Sequence, residues 1–145
     1  MSNYSPEQLH GLAEAVNSVL GGVMQAGGSG LFGMLREGMA AMGFLKEMQE
    51  NFAENDLIQQ VLGLVLEKGT HSGEALPESA DYLGQIQGAL AGLQNDAIGE
   101  QFKQMLYQFA ERVAGAAGQG LFGTGEKISH GEADFLGQLK QTLGI

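Results

Sequence analysis

The chain has 145 residues, of which 17 are acidic and 7 are basic, so its formal net charge at pH 7 is −10. It contains no cysteine, which excludes disulfide bonds, thiolate chemistry and cysteine-ligated metal sites. The acidic balance also excludes the basic surface that binding to nucleic acid or to a membrane surface requires. Hydrophobic residues make up 43% of the chain, which is enough for the core of a single helical domain over residues 1–145.

The N-terminal segment and the longest uncharged stretch bear on localisation. Residues 1–10 contain no lysine or arginine, so the positively charged start of a signal peptide is missing. Residues 15–35 carry no charge, but polar residues and glycines dilute their apolar character below what a membrane-spanning helix needs. The sequence therefore predicts a cytoplasmic protein without a transmembrane segment.

Apolar residues recur every three or four positions along the chain, which is the pattern of amphipathic helices rather than of strands. The first predicted helix starts at a capping box formed by Ser5 and Gln8, with Pro6 in the first helical position, and it runs to Gly27. The second predicted helix covers residues 31–52 and is apolar nearly all round in its first half, which indicates burial on several sides.

Three large apolar residues of the second predicted helix, Phe32, Met39 and Phe44, fall off its main apolar stripe. The sequence leaves two interpretations of them open. They form either a second layer of the core or the interface of a homodimer, because an uncovered patch of this kind exceeds what soluble monomers usually expose.

The rest of the chain predicts further helices. The third follows a break at residues 54–56 and ends at Lys68, and the fourth covers residues 78–93. The fourth helix carries a glycine stripe that predicts close approach of another helix, with the second helix as the candidate neighbour. The fifth starts at residues 95–96, and the last starts at a second capping box over residues 129–132. The glycine stripe consists of Gly84, Gly88 and Gly92, and the inward residues of the fifth helix are Ile98, Phe102, Met105, Leu106, Phe109, Val113 and Ala116.

These elements predict the all-α fold class, as a compact bundle of six to seven antiparallel helices. A short repeat supports two pseudo-repeated halves, because the sequence Gly-x-Gly-Leu-Phe-Gly occurs at residues 28–33 and again at residues 118–123. Both copies match the glycine pattern of nucleotide-binding loops, but each copy follows a predicted helix and not a strand. We therefore interpret them as helix-capping turns and predict no nucleotide cofactor.

Four residues near the last predicted helix are candidate ligands of a divalent metal ion: Glu126, His130, Glu132 and Asp134. Carboxylates and imidazole are ligands that divalent cations accept. A simpler interpretation is also open, in which Glu132 completes the capping box, Asp134 complements the helix dipole and His130 is a surface residue. The chain has no nucleophile elbow and no His-Glu-x-x-His motif, so it predicts a non-enzymatic protein.

The C-terminal part of the chain contains a short motif, Glu-Lys-Ile-Ser-His-Gly-Glu at residues 126–132, and it ends with Leu143-Gly144-Ile145. With these features the segment 106–145 resembles the second half of the TerB-like family of tellurite-resistance proteins. The resemblance implies a compact helical bundle of two similar halves and a role in stress response or scaffolding. The family's loop usually has an aspartate in its acidic, metal-associated site, whereas this chain has Gly-Thr-Gly at residues 123–125.

Three functional hypotheses follow. The first is a non-enzymatic interaction or scaffold protein of a bacterial stress-response system like that of tellurite resistance, acting through protein partners or as a homodimer. The second is a divalent-metal-binding or metal-sensing helical module, which rests on the acidic balance and the four candidate ligands. The third is a carrier of a small apolar ligand, which rests on the methionine- and glycine-rich interior.

Overall fold

The first helix, α1, covers Pro6–Gly27 in the computed structural model of the protein. The structure describes residues 4–27, 31–68, 81–118 and 130–145, and the side chains of 4–23, 41–67, 81–115 and 133–145. At the start of α1, the Ser5 amide donates a hydrogen bond to Gln8 Oε1 at 2.8 Å, and the Gln8 amide donates to Ser5 Oγ at 3.2 Å. This reciprocal pair confirms the predicted capping box.

Five further helices follow along the described parts of the chain, which confirms the predicted all-α class. They are α2 (Leu31–Asn51), α3 (Asp56–Lys68), α4 (Tyr82–Leu90), α5 (Ala97–Gly118) and α6 (His130–Leu143). The observed bounds of α2, α3 and α5 agree with the predicted ones to within one or two residues, whereas the second capping box extends outside the described residues because it includes Ser129. The bundle therefore contains six helices in the parts of the chain that are described.

The fourth helix is shorter than the sequence predicts. It begins at Tyr82 and not at residue 78, because Asp81 has a non-helical backbone and its carboxylate accepts a hydrogen bond from the Gly84 amide. It ends at Leu90, after which a turn closes through a hydrogen bond from the Leu93 amide to the Leu90 carbonyl. The side-chain cap at Asp81 thus fixes the start of α4 and the turn after Leu90 fixes its end, so the helix has nine residues.

The helix at the centre of the bundle is α1, which packs against each of the other five helices. The second helix packs against α1, α3 and α5, so the described neighbours of α2 do not include α4. The glycine stripe of α4, which the sequence offered as one possible cover of the second helix, therefore does not pack on the described part of α2. Gly84 and Gly88 are exposed because α4 turns its other face toward α1 and α6, and Gly92 is exposed in the turn that follows α4.

One cluster of buried apolar side chains contains members from all six helices, with the two buried phenylalanines of α5, Phe102 and Phe109, among its largest. The apolar stripes predicted from the sequence supply most of this cluster. Ile98 is the exception, since its side chain is 44% exposed although the sequence places it inward. It lies in the first turn of α5, where its carbonyl and not its side chain makes the inward contact, by accepting a hydrogen bond from Asn55 Nδ2 at 3.3 Å.

We expect Phe109→Ala to lower the free energy of unfolding by about 3–5 kcal/mol, because it leaves a cavity in the centre of the core. The matched control is Ile98→Ala in the same helix, for which we expect a loss below about 0.5–1 kcal/mol. Chemical denaturation of the purified variants measures both. Similar losses in the two variants would contradict the assigned core face of α5.

Two glycines of α1 let aromatic rings from other helices approach its backbone. A Cβ atom at Gly21 would lie 2.7 Å from Cε1 of Tyr82 in α4. A Cβ atom at Gly22 would overlap the ring of Phe135 in α6. In a close-packed interior there is no room for even one added methyl group at such contacts. The lack of side chains at residues 21 and 22 therefore sets the distances at which α4 and α6 pack on α1.

We expect Gly22→Ala to lower the free energy of unfolding by about 1–3 kcal/mol, because the new methyl group displaces the Phe135 ring. The matched control is Gly43→Ala in α2, where an added Cβ meets no atom within 4 Å. Alanine forms helix better than glycine, so this variant should gain about 0.5–1 kcal/mol. Thermal and urea melts test the opposite signs, and a stabilised Gly22→Ala protein would refute the close approach of α6.

Candidate functional site

The candidate metal ligands lie around the start of α6. Glu126 lies outside the described residues, His130 and Glu132 are within the helix, and Asp134 is an exposed residue of its second turn. Each residue turns an α-helix by about 100°, so positions 130 and 134 share a face while position 132 lies on the other side. Where side chains are described, no three histidine or acidic residues form a metal-binding group. The metal assignment stays a prediction, with His130 and Asp134 as the pair on one face.

The three candidate interface residues of α2 likewise do not all lie on one face of the helix. Phe44 is half-buried and packs against the core, which favours the interpretation as a second core layer at this position. Phe32 and Met39 lie in the backbone of α2, but their side chains are outside the described set. Positions 32 and 39 share a face of the helix, from which position 44 is rotated by more than 90°. A subunit interface therefore stays a prediction for Phe32, Met39 and Phe44, with Phe44 lying apart from the other two on the helix.

An ion pair joins α2 to α5. Glu47 Oε1 lies 2.7 Å from Arg112 Nη2, and both side chains are partly exposed. Exposed pairs contribute little to stability because water screens them and the long side chains lose freedom. The contact nevertheless shows that one of the few cations of this acidic chain is used in joining two helices, while Glu50 and Glu54 on the same stretch remain exposed.

A group of polar side chains between α1 and α4 is the most site-like feature of the described structure. We call it the polar seam: Ser18 and Gln85 meet across the two helices beside Tyr82, and we include Asn17 because it lies one turn before Gly21 on α1. Ser18 is only 7% exposed, and its hydroxyl donates a hydrogen bond to Gln85 Oε1 at 3.0 Å. Two further polar atoms in the seam, Asn17 Oδ1 and Tyr82 Oη, are buried and have no hydrogen-bond partner among the described residues.

The local sequence explains why these groups meet. Asn17 and Gly21 are one helical turn apart, so they share the face of α1 on which the Tyr82 ring lies. Tyr82 is the first residue of α4, directly after the Asp81 cap, so this cap also positions the phenol. Buried polar groups without partners are uncommon in proteins, because each loses its solvation without compensation. The seam is thus a place where α1 and α4 pack at an energetic cost.

The seam is a neutral, hydrogen-bonding environment. Burial raises the pKa of the Tyr82 hydroxyl above its usual value of 10.0 because water no longer stabilises the phenolate. The phenol therefore stays protonated at neutral pH, as a hydrogen-bond donor. Together with the amide of Asn17 and the hydroxyl of Ser18, it can hold a polar group by hydrogen bonds, but it offers no charge or nucleophile.

The sequence did not indicate the seam, because Asn17 and Ser18 fall off the apolar stripe of α1 and helical period alone assigns no buried partner to such residues. The available signal was the pair Gly21-Gly22 one turn later, which permits close packing on that side.

A second polar group, Asn55 at the start of α3, is 3% exposed and fully bonded: Oδ1 accepts from the Ile58 amide at 3.0 Å and Nδ2 donates to Gln101 Oε1 at 2.9 Å. It joins α3 to α5 and caps α3, so its role is structural.

Comparison with protein-family models, with curated proteins and with solved structures gives no match to this chain. In the described parts of the chain, no helix combines the length and the apolar character that are needed to cross a membrane. The geometry of the described residues is therefore the observation that bears on function.

We expect Tyr82→Phe to leave the free energy of unfolding unchanged or to raise it by up to about 1 kcal/mol, because it removes a buried hydroxyl without a partner. The control is Tyr4→Phe, whose hydroxyl accepts a hydrogen bond from the Gln94 amide at 2.9 Å, and this variant should lose about 0.5–1.5 kcal/mol. Urea titration at neutral pH measures both, and a clear loss in Tyr82→Phe would show that its hydroxyl is bonded.

Tyr82→Phe should also change how the free energy of unfolding depends on pH. Because the pKa of Tyr82 is raised in the folded protein, ionisation of this phenol does not affect stability below pH 10, and it destabilises the fold as the pH rises through the folded pKa. Tyr82→Phe should therefore lose less stability than the parent protein between neutral pH and about pH 11. An identical alkaline loss in both proteins would contradict the burial of this phenol.

Proposed function

We propose that this protein is a cytoplasmic, non-enzymatic interaction or scaffold protein of a bacterial stress-response system that resembles tellurite resistance. The proposal rests on the resemblance of residues 106–145 to the TerB-like family. The all-helical bundle supports it, since that is the fold class which the resemblance implies.

The observation that carries the proposal is the order of features in the C-terminal part. An apolar helix, α5, ends at Gly118, and α6 begins at His130, the position at which a helix capped by residue 129 begins. The chain then ends on a glycine cap. Gly144 has a φ of 72°, and the Ile145 amide donates to the Lys140 carbonyl at 3.3 Å, which is the hydrogen bond of a Schellman motif. The terminal Leu-Gly-Ile of the resemblance thus has a physical role in ending α6.

The partner in this proposal is another protein or a second copy of this chain, and the candidate surface is the first half of α2 with Phe32 and Met39. A two-fold dimer is the commonest arrangement that covers such a face. The net charge of −10 opposes self-association, but physiological salt screens exposed charges beyond about 8 Å. Apolar burial at a close contact then outweighs the repulsion.

The proposal is tested by deleting the gene in its own bacterium and measuring growth in increasing tellurite. We expect the deletion strain to lose tolerance and to regain it when the gene is supplied in trans. Phe109→Ala, which weakens the fold, should restore tolerance poorly, whereas the surface variant Gly43→Ala should restore it fully. Unchanged tolerance in the deletion strain, across tellurite and oxidative stress, would contradict the proposed system.

A divalent-metal site at the start of α6 is the second candidate, favoured by the shared face of His130 and Asp134. Melting curves of the purified protein with calcium, manganese or zinc test it, because a ligand of the folded state raises the melting temperature with concentration. We expect a rise that is lost in Asp134→Asn and kept in Glu111→Gln, an exposed carboxylate of α5. An equal rise in both variants would indicate general charge screening and would contradict the site.

A further inference from the structure

The fourth helix packs closely on α1, but it contributes few fully buried apolar side chains to the core. Ile86 is the one residue of its nine that is fully buried, while Leu83 and Leu90 are half-buried against the core. The longer helix α5, by contrast, buries seven apolar residues completely in its described part. They are Phe102, Met105, Leu106, Phe109, Ala110, Val113 and Ala114. Because burial of apolar area is the main stabilising contribution, α4 is held far more weakly than α5.

The position of α4 makes it separable from the rest of the bundle. Among the described helices it packs only on α1 and α6, and it has no contact with α2, α3 or α5. Those three helices pack on α1 and on one another without it. Removal of α4 therefore leaves most of the hydrophobic core in place.

The polar seam weakens the attachment of α4 further. When α4 is docked, Tyr82 Oη is withheld from water without a described partner, and it regains water when α4 leaves. The one hydrogen bond across the seam, from Ser18 to Gln85, is exchanged for hydrogen bonds to water at small net loss.

The fourth helix also has little tendency to stay helical by itself. Its nine residues are fewer than an isolated helix needs in water. Gly84 and Gly88 lie on its exposed face, where their low helix propensity is not offset by packing. Once it leaves α1, α4 therefore unfolds.

We propose that α4 is a lid on α1, which opens and unfolds as a unit while α1, α2, α3, α5 and α6 remain folded. Opening exposes the face of α1 that carries Asn17, Ser18 and Gly21, with its hydrogen-bonding groups beside apolar side chains. The opening is a conformational step of the free protein and requires no ligand, so it does not depend on the proposed function.

Native-state hydrogen exchange on the full chain tests the lid. We expect the amides of residues 86–90 in α4 to exchange about 100-fold or more faster than those of residues 105–109 in α5, after correction for intrinsic rates. The exchange of α4 should depend weakly on added denaturant, because opening exposes little surface, while that of α5 should follow the slope of global unfolding. Equal protection of both segments, with equal slopes, would overturn the proposal.

A variant in α5 separates lid opening from global unfolding. Phe109→Val destabilises the closed and the open protein alike, because Phe109 belongs to the part that stays folded. It should reduce the protection of the α5 amides about tenfold or more and leave that of the α4 amides unchanged. A parallel loss of protection in both helices would show that α4 opens only when the whole bundle unfolds. Should this variant fail to fold, the denaturant dependence in the parent protein still decides the question.

Discussion

The packing of five helices on α1 is the constraint on which the arrangement of the bundle depends, and two of them bring an aromatic ring close to its backbone. Tyr82 lies against Gly21 and Phe135 lies against Gly22, so neighbouring positions of one helix hold α4 and α6. Since α1 also packs on α2, α3 and α5, it serves as the common support of the whole structure. A side chain at either glycine would change the distance of one attached helix from the core.

The two polar contacts between helices differ in how completely they are bonded, and that difference has a consequence for dynamics. Asn55 uses both its amide and its carbonyl oxygen, and it fixes the start of α3 against α5. The polar seam between α1 and α4 leaves Asn17 Oδ1 and Tyr82 Oη without described partners. A buried polar group with all its hydrogen bonds fixes how two helices pack, whereas one with missing hydrogen bonds lowers the free energy needed to separate them. The α3–α5 corner is thus the fixed junction, and α4 is the element that can leave.

The proposed scaffold role and the lid rest on different parts of the chain. The scaffold role depends on the order of α5, the capped α6 and the glycine ending at Gly144. The lid depends on α4 and its attachment to α1. A protein that acts through partners benefits from a helix whose detachment leaves the core intact, because surface can then be offered without loss of the fold.

Local features of the structure were determined by the sequence itself. The all-α class, the capping box of Ser5 and Gln8, and the inward faces of α1, α5 and α6 all follow from interactions within one helix or from its apolar period, which a single sequence carries. The tertiary structure decided which helix is central, where α4 packs and which polar groups become buried. Ser18 and the hydroxyl of Tyr82 are buried because α4 covers one side of α1, and the exposed glycines of α4 face away for the same reason. Such outcomes depend on contacts between segments that are far apart in the chain, and helical period alone does not specify which segments meet.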